Sequence, residues 1–558
     1  MRMLNKERLI KDIIIVLYII LISILFIFSL GMKAEGPDDP VFAAILSGAY
    51  GEAANREPVY LNVLFGRIIK ALYLVSNSIP WYYVVQLVLS ITAISAFFIV
   101  LNREISFQYT IVLLVIMTYG VFREHFYSFQ WTKNAYLYIS IGIFLNIYGI
   151  FKEVGWIKVI SVFYICIGFV IRSDCMFALL PVWIIILFGG YIRKRIFSKG
   201  IAWAIIIGIA VAILYGYDYK VKNSDEWLSC TERLGILNQS QDYAIPEYEH
   251  NTNWYKELGY SENDYQMILR WFVADKEVFS NDKLEQFGIY NNNAIIGRAV
   301  SKQNIMGYIC HLIDDIKTYP VVVTSLLLCF CAIFFVKNKV ELLILYSILA
   351  FEDFFLYTKG RAIFRAEYGL FLMAIIIVFT SYILYKDERE LNKTVIYRIA
   401  IIMGVISCVG HIPSIRKDYQ NYSLHYKEPE CSRLFEYTSS SDTCYFMNVS
   451  AFFPELITKY SWRTVLPENY FDNMLVTGSF LSCTPYDQRI RDRYGIEDPF
   501  EAIANGKEVY YISLAPEKEN FEMIEKYIYE HYGENMDEVI EDVIDDYYYV
   551  YKFVSRKK

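Results

Sequence analysis

The stretch Leu9–Met32, LIKDIIIVLYIILISILFIFSLGM, is a nearly unbroken apolar run close to the start of the chain. It is longer than the apolar region of a typical secretory signal, and no small-residue cleavage site follows it. A helix of roughly 20 apolar residues is long enough to cross the hydrocarbon core of a bilayer. The stretch therefore predicts an uncleaved membrane span.

The composition extends this prediction to most of the chain. Of its 558 residues, 55% are hydrophobic and 17% are aromatic, and the mean hydropathy is +0.30. The apolar residues come in blocks, as they do in integral membrane proteins. A net charge of -7 without a basic tract argues against a nucleic-acid partner. The ten cysteines show neither CxxC nor Cys/His metal spacing, so no zinc site is predicted.

The apolar blocks predict a polytopic α-helical membrane protein with about eleven transmembrane helices. The predicted spans are 10–31, 81–101, 108–122, 135–151, 157–171, 176–192, 201–217, 319–336, 340–358, 366–385 and 395–411. In residues 58–75, Arg67 and Lys70 interrupt apolar residues at helical spacing, which favours a helix lying in the membrane interface. The predicted domains are a transmembrane domain, 1–411, with outer loops 33–80 and 218–318, and an extracytoplasmic α/β domain, 412–558.

Basic residues between the spans predict the orientation. They cluster before the first predicted span and after the sixth, eighth and tenth, and with eleven predicted spans these places all lie on one side of the membrane, opposite the C-terminus. The residues are Arg2, Lys6, Arg8, Lys11, Arg193, Arg195, Lys199, Lys337, Lys339, Lys386, Arg389 and Lys393. The positive-inside bias makes this side cytoplasmic, so the expected location is the cell membrane, with the N-terminus inside and the C-terminus outside.

The outer segments carry secondary-structure signals of their own. In SENDYQMILRWFVAD, Ser261 and Asp264 have the spacing of a helix N-cap and its third residue. In the tail, CYFMNV, EVYYISL and YYYVYKFV predict strands, and ENFEMIEKYIYEHYG predicts a helix. Five cysteines lie outside, where disulfides are permitted, and their odd number leaves at least one without a partner among them. They are Cys230, Cys310, Cys431, Cys444 and Cys483.

The first outer loop contains EGPDDPVFAAILSGAYG, residues 35–51, in which two carboxylates stand together at the membrane edge. One interpretation is a helix start, with Asp39 as N-cap and Pro40 in the first helical position. One cap needs only one acid, so this interpretation leaves Asp38 without a role. Neighbouring carboxylates repel each other, which raises one pKa, and a raised pKa suits a general base. Both interpretations remain open at this point.

Cations in the short outer connections run against the positive-inside bias. Taken singly, each is explained by contact with anionic lipid headgroups or by pairing with acids. As a set they favour an anionic substrate at the outer mouth, because the arginine fork can donate two hydrogen bonds to phosphate at once. They are Arg123, His125 and Lys133 in REHFYSFQWTK, Arg172 beside Asp174 in IRSD, and Lys359, Arg361 and Arg365 in KGRAIFR.

Glu352 and Asp353, in LAFEDFFLYT, stand in the outer part of a predicted span, where acids are costly and usually face the protein interior. We favour their pairing with Arg361, Arg365 or Arg172. The alternative is that they line a polar cavity below the acid pair. The chain has no GxxxxGK[ST] and no GxGxxG after a strand, and a lipid-activated donor would make a nucleotide site unnecessary.

These features together resemble the GT-C superfamily of integral membrane glycosyltransferases. The shared plan is a first span, an outer loop with paired acids, an interfacial helix, many further spans and an extracytoplasmic C-terminal domain. More narrowly, several stretches are similar to a group of multispanning, glycosyltransferase-like proteins of Gram-positive bacteria. The stretches are DDPVFAAILSGAYG, IPWYYV, QWTKNAYLYISIG, GFVIRSDCMFALLP, DYAIPEYEHNTNWYKELGYSENDY and KGRAIFR.

The resemblance implies an inverting enzyme that takes a sugar from a polyprenyl-phosphate donor on the outer face and transfers it to a glycan or cell-wall acceptor. It implies Asp38 as the general base, with Asp39 capping the helix or assisting. It also implies a set of arginines that hold the donor phosphate, in order of preference Arg361, Arg365, Arg172 and Arg123.

In some members of the superfamily, acids hold a divalent metal. Here only Glu124 and Asp174 are candidates, so the prediction is that no metal is used. Lys133, in QWTKNA, departs from the small or polar residue that the resemblance leads us to expect.

Three other functions stay open. A lipid-linked glycan polymerase or ligase also uses outer arginines but needs no acid pair in the first loop. A transporter or flippase should have polar residues at the bilayer midplane and repeated halves, whereas here the charge lies at the outer rim. A non-catalytic scaffold that binds cell-wall polymer would use some of the 49 tyrosines for sugar stacking, although tyrosines also favour membrane interfaces.

Overall fold

The computed structural model of the protein is mainly helical. It describes residues 2–50, 57–194, 197–241, 245–299, 301–335, 339–385, 393–413, 416, 431–440, 442–448, 462, 465–514, 518–544, 546 and 548–556. The helices of the first 410 residues are α1 (Arg2–Phe26), α2 (Asp38–Ser47), α3 (Val63–Val75), α4 (Trp81–Leu101), α5 (Phe107–Met117), α6 (Glu124–Tyr127), α7 (Trp131–Phe151), α8 (Gly155–Ile171), α9 (Ser173–Lys194), α10 (Phe197–Lys222), α11 (Asp225–Gln241), α12 (Thr252–Glu257), α13 (Glu262–Leu269), α14 (Asn281–Ala299), α15 (Lys302–Thr318), α16 (Pro320–Phe335), α17 (Lys339–Thr358), α18 (Phe364–Tyr385) and α19 (Lys393–Gly410).

Several of the described helices have the length and apolar character needed to cross a membrane. Five do so singly: Lys6–Ser29, Trp81–Leu101, Trp131–Phe151, Gly200–Lys222 and Phe364–Leu384. A sixth candidate is α15 with α16, two helices that meet at a bend of 105°. The apolar parts of α5, α8 and α9 are shorter, and α17 carries three acids. The membrane character of the chain is therefore supported, whereas the eleven predicted spans are not confirmed by helix length and composition.

Helix α7 lies at the centre of the bundle. Every residue from Trp131 to Ile150 is buried, and the polar side chains of its first turn, such as Lys133 and Asn134, pair with other side chains. It packs against α4, α8, α9 and α18. A Cβ at Gly369 of α18 would lie only 2.1 Å from the Tyr136 ring, so this close approach requires glycine. The N-terminal end of α7 is consequently surrounded by several helices, and the candidate site is built around it.

A short parallel strand pair fixes the first outer loop to the start of α7. Strand β1 (Lys33–Ala34) pairs with β2 (Ser128–Phe129). The Glu35 N–H extends the pair by donating to the Phe129 carbonyl at 2.9 Å. Since α2 begins shortly after β1 and α7 begins shortly after β2, this pair brings the acid pair to the N-terminus of α7.

The tail forms a five-stranded sheet with strand order β4-β3-β5-β7-β6. Its elements are α20 (Cys431–Ser439), β3 (Cys444–Asn448), β4 (Met474–Thr477), α21 (Pro485–Tyr494), α22 (Pro499–Ala504), β5 (Val509–Leu514), α23 (Lys518–Tyr532), β6 (Met536–Ile544) and β7 (Tyr548–Ser555). β3 runs parallel to β4 and β5, whereas β7 is antiparallel to β5 and β6. The three predicted strands and the predicted helix are confirmed as β3, β5, β7 and α23.

The sheet shares its core with the outer segment that contains α11 to α14. Phe279, between α13 and α14, stacks on Tyr527 of α23 with 5.8 Å between ring centroids. The Tyr527 and Tyr532 hydroxyls both donate to Asp275 Oδ2 at 2.8 Å. Part of the segment that the sequence assigned to the transmembrane domain therefore packs as one unit with the tail.

The tail also contacts the first outer loop. The backbone N–H groups of Asn469 and Phe471 donate to the carbonyls of Gly48 and Ala49 at 2.9 and 2.8 Å. The Tyr486 hydroxyl donates to the Glu57 carbonyl at 2.7 Å. Three regions that are distant in sequence, the first loop, the α11–α14 segment and the tail, are thus in direct contact.

The structure also describes a predicted helix cap and most of the cysteines that were predicted to lie outside. Ser261 and Asp264 form a capping box at the start of α13, as predicted. The cysteines at 230, 310, 444 and 483 are free thiols, and the side chain of Cys431 lies outside the described residues.

Candidate functional site

Asp39 is fully buried and stabilises the start of α7. Its Oδ1 accepts a hydrogen bond from the Tyr82 hydroxyl at 2.8 Å, and its two oxygens lie 3.2 and 3.3 Å from the Trp131 backbone nitrogen. Burial raises the pKa of Asp39 well above its usual value. Its predicted role as N-cap of its own helix is wrong, because α2 begins at Asp38, after Pro37. The carboxylate faces inward and caps α7 instead.

Asp38 is less buried than Asp39 and contacts the side chain of Trp131 rather than its backbone. Its Oδ2 accepts a hydrogen bond from the indole Nε1 at 3.4 Å. The Arg172 guanidinium lies over the same ring, 4.6 Å from its centroid, and donates to Thr132 Oγ1 at 2.7 Å. The charge of Asp38 acts on Arg172, so Trp131 holds an acid and an arginine close to each other.

A cavity of about 400 Å³ lies next to Arg172. Its size falls within the range of roughly 300–1,000 Å³ that is usual for small-molecule sites. Four cations and two acids line it, so the wall carries an excess of positive charge. We call it the arginine cavity, and its charged and hydrogen-bonding lining includes Thr132, Tyr136, Arg172, Asp174, Glu352, Lys359, Arg361 and Arg365.

The turn between α17 and α18 presents two of these cations. Gly360 has a φ of 71°, in the left-handed region that favours glycine. The N–H groups of Gly360 and Arg361 donate to the carbonyls of Tyr357 and Leu356 at 2.9 and 2.8 Å. These two bonds form a Schellman motif, which ends α17 and satisfies its last carbonyls. Lys359 and Arg361 thus stand on a defined turn rather than on an irregular loop.

Arg365, in the first turn of α18, connects the arginine cavity with the first outer loop. A Cβ added at Gly36 would lie 3.4 Å from its Nη1, and its charge acts on Asp39. The structure therefore brings Arg172, Arg361 and Arg365 together around one cavity. Neither Asp38 nor Asp39 lines this cavity, but Asp38 is near enough to Arg172, and Asp39 to Arg365, for their charges to interact.

Arg123 is not brought to the arginine cavity. It is buried near the rings of Tyr119 and Tyr127, 5.9 and 5.5 Å from their centroids. Its Nε lies 3.6 Å from Glu124 Oε1. The fourth predicted phosphate ligand is thus packed among aromatic rings and paired with an acid, apart from the other three.

Lys133 lies on another face of the first turn of α7 and is buried. Its Nζ forms ion pairs with Glu35 and, at 2.8 Å, with Glu124 Oε2, and lies 4.8 Å from the Phe364 ring centroid. Burial alone would raise the pKa of Glu124, but the nearby Lys133 and Arg123 outweigh it and lower that pKa. We call Lys133, Glu35, Glu124 and Arg123 the Lys133 network.

Glu35 is a member of this network that the sequence did not single out. The sequence nonetheless contains an indication of its role as a partner of Lys133. A lysine in an otherwise apolar, buried helix needs acidic partners, because an uncompensated buried charge is costly. Glu35 and Glu124 are acids near the outer ends of the adjoining segments.

His125, one of the predicted outer cations, is buried and uncharged at neutral pH. Its Nδ1 lies 2.8 Å from Asn134 Oδ1, and its Nε2 lies 2.9 Å from the Tyr368 hydroxyl. Burial lowers the pKa of His125 to about 4. It therefore contributes hydrogen bonds to the core and no positive charge to an outer anion site.

The adjacent acids Glu352 and Asp353 face different surroundings. Glu352 lines the arginine cavity, and its Oε2 is buried without a hydrogen-bond partner among the described residues. Asp353 accepts a hydrogen bond from the Tyr308 hydroxyl of α15 at 2.7 Å. Asp353 does not pair with the cavity arginines, which was the favoured expectation. Adjacent residues of a helix point about 100° apart, so Asp353 faces α15 while Glu352 faces the cavity.

Two comparisons with known proteins bear on this site. No protein-family model matches the chain. No curated protein matches it either. The functional interpretation therefore depends on the geometry described above and on the resemblance noted in the sequence.

Proposed function

We propose that this chain is an integral membrane glycosyltransferase that moves a sugar from a polyprenyl-phosphate donor to a cell-envelope acceptor at the outer face of the membrane. The proposal includes about eleven spans, a cytoplasmic N-terminus and an extracytoplasmic tail. The observation that carries it is the meeting of Arg172, Arg361 and Arg365 around one cavity, with Asp38 and Asp39 near enough to Arg172 and Arg365 for their charges to interact.

In this proposal the cavity arginines bind the phosphate of the donor. The bond between the anomeric carbon and the phosphate oxygen breaks during transfer, and negative charge grows on the departing phosphate. Guanidinium groups that are already in place stabilise this charge without reorganisation, and one such donor is typically worth about 3–4 kcal/mol in the transition state. The positive excess of the cavity wall supports this role.

Asp38 acts as the general base on the acceptor hydroxyl, which attacks the face of the sugar opposite the phosphate. Asp39 is a poor candidate because its carboxylate is enclosed by Tyr82 and the start of α7. Its raised pKa favours the protonated form, which reduces the charge repulsion that Asp38 experiences. The pair thus divides into a positioning acid, Asp39, and a reacting carboxylate, Asp38.

The test compares two variants of the purified protein in lipid nanodiscs, supplied with cell-wall glycan acceptors and with either polyprenyl-phosphate monosaccharides or oligosaccharide-lipid donors. Asp38→Asn should lower sugar transfer by about 10²–10⁴-fold, the usual contribution of a general base. Asp314→Asn removes an exposed outer acid that pairs with Lys317 and should retain full transfer. Full transfer by Asp38→Asn would refute the base assignment, and transfer only from oligosaccharide-lipid donors would favour a glycan ligase instead.

A further inference from the structure

Three potential metal ligands meet on the other side of α17 and α18 from the arginine cavity. His311 and Asp315 stand one turn apart on α15, and Glu367 of α18 faces them. His311 Nε2 lies 2.7 Å from Glu367 Oε1 and 3.3 Å from Asp315 Oδ2. The three ligand atoms all lie within 4.8 Å of one another.

Hydrogen bonding alone does not satisfy this cluster. A single imidazole nitrogen faces two carboxylates, and one N–H can make a good hydrogen bond to only one of them. Among the described residues, Glu367 Oε2 and Asp315 Oδ2 are buried and have no hydrogen-bond partner, although the Glu367 side chain is only 1% exposed. Buried carboxylate oxygens normally have partners, so these two require another explanation.

The charges of the side chains around this cluster also favour a bound cation. Asp353 adds a third carboxylate nearby, and its Oδ1 is also buried without a hydrogen-bond partner in the described part of the chain. The charged groups there that act on Asp315 and Asp353 are His311 and other acids. Three acids beside one imidazole in a largely buried place are costly unless a proton or a cation compensates their charge.

We propose that His311, Asp315 and Glu367 bind one divalent transition-metal ion of the zinc or manganese class. A donor set of one imidazole and two carboxylates suits these ions. Metal–ligand distances of about 2.0–2.2 Å in a tetrahedral site place neighbouring ligand atoms roughly 3.3–3.6 Å apart. The 2.7 and 3.3 Å separations at His311 Nε2 need only a small expansion to reach this.

A second cluster of similar composition shows the contrast. Asp264, Glu530 and His531 also lie close together, but hydrogen bonds account for their oxygens. Asp264 Oδ2 accepts from the Ser261 N–H and its Oδ1 lies 2.8 Å from His531 Nε2. Glu530 Oε2 accepts from the Ser261 hydroxyl at 2.7 Å. This cluster completes a helix cap, and we assign no metal to it.

A metal ion bound by His311, Asp315 and Glu367 would link α15 to α18. Residues on the cavity-facing side of α18 include Arg365 and Ala366, directly before Glu367. The ion would thus fix the position of the helix that carries a cavity arginine, without contacting the cavity. The proposed site does not depend on the proposed function, since it follows from the α15–α18 contact alone.

The test uses tag-free full-length protein in detergent, stripped with a chelator and titrated with Co²⁺ as a spectroscopic probe. We expect one Co²⁺ per chain, visible absorption bands typical of a four-coordinate nitrogen and oxygen site, and displacement by Zn²⁺. Zn²⁺ should also raise the thermal unfolding midpoint. Failure to bind one Co²⁺ per chain would overturn the proposal, whatever the outcome of any transferase assay.

Variants locate the ion. Glu367→Gln keeps a hydrogen-bond acceptor for His311 but removes a charged ligand. It should weaken Co²⁺ binding by at least about 100-fold, which exceeds the usual effect of losing a residue that only hydrogen-bonds to a metal ligand. Asp315→Asn should act in the same direction if Glu367→Gln does not fold. The matched control, His531→Gln in the second cluster, should bind Co²⁺ as the parent does. Unchanged binding by Glu367→Gln or Asp315→Asn, or loss in His531→Gln, would contradict the assignment.

Discussion

Two groups of cations lie on different faces of the first turn of α7, and they differ in how their charge is compensated. In the Lys133 network, Lys133 is enclosed by Glu35, Glu124 and aromatic rings. In the arginine cavity, four cations face two acids around an open volume. Both groups come from short connections that look alike in sequence. Compensated burial indicates a structural role, whereas cations that outnumber acids around a cavity are the setting that the proposed phosphate site requires.

The largest expected effect comes from Lys133→Met. It leaves Glu35 and Glu124 without their cation, and breaking a buried ion pair in this way typically costs about 3–5 kcal/mol. The free energy of unfolding, measured by denaturant titration in mixed micelles, should fall by that amount. Adding Glu35→Gln and Glu124→Gln to Lys133→Met should recover much of the loss. A Lys133→Met protein that is stable but inactive would show that this lysine acts in transfer together with the cavity residues, which would contradict its assignment to a structural network.

Arg365→Gln should have the opposite profile. Losing one preorganised donor to the phosphate should lower the turnover number by about 10²–10³-fold, while the unfolding free energy changes by less than about 1 kcal/mol. Steady-state kinetics and denaturant titration of the same preparation check both parts. Arg556→Gln, which removes an exposed arginine paired with Asp537 on the sheet, serves as the control with normal turnover.

The pH dependence of stability should come partly from His125, which lies beside the Lys133 network. Its pKa is about 4 when folded, against 6.5 for a free histidine. The unfolded chain therefore binds more protons between these values, so stability is full above about pH 6.5 and declines as the pH falls towards about 4. The decline amounts to ~3 kcal/mol. Unfolding titrations of the parent and of His125→Asn should differ in slope over this range, and equal slopes would contradict the prediction.

The smallest effect is expected for Arg123→Lys. Lysine keeps the charge beside Glu124 but loses the planar contact with Tyr119 and Tyr127, a change worth about 1 kcal/mol of stability. Sugar transfer should stay within about twofold of the parent, because Arg123 lies outside the cavity. A loss of transfer comparable to that of Arg365→Gln would return Arg123 to the phosphate-binding set.

Much of the local structure could be predicted because it depends on neighbours in sequence. The capping box at Ser261 and the strands β3, β5 and β7 belong to this class. Two strands of the sheet were missed for physical reasons. β4 has four residues, too few for a periodic signal, and β6, MDEVIEDVI, is acidic and largely exposed at the sheet edge.

The candidate site was only partly predictable because its contacts join distant segments. Sequence identified the acid pair and most of the cations, but not which of them share a cavity. Arg123 and Arg172 have the same chemistry, and only packing directs one to aromatic rings and the other to the cavity. The capping of α7 by Asp39 is likewise a tertiary contact that local helix rules could not indicate.

The contacts of the tail with the first loop and with the α11–α14 segment also constrain how the chain threads the bilayer. In the proposed topology these segments share the extracytoplasmic side, so the chain between them traverses the membrane an even number of times. Among the described residues between Glu57 and Asp225, three helices are long and apolar enough to do so singly, which is an odd number. An even number therefore requires either a crossing by one of the shorter apolar helices α5, α8 and α9 or a long helix that does not cross, and this parity rule counts crossings without reference to the hydropathy of any single helix.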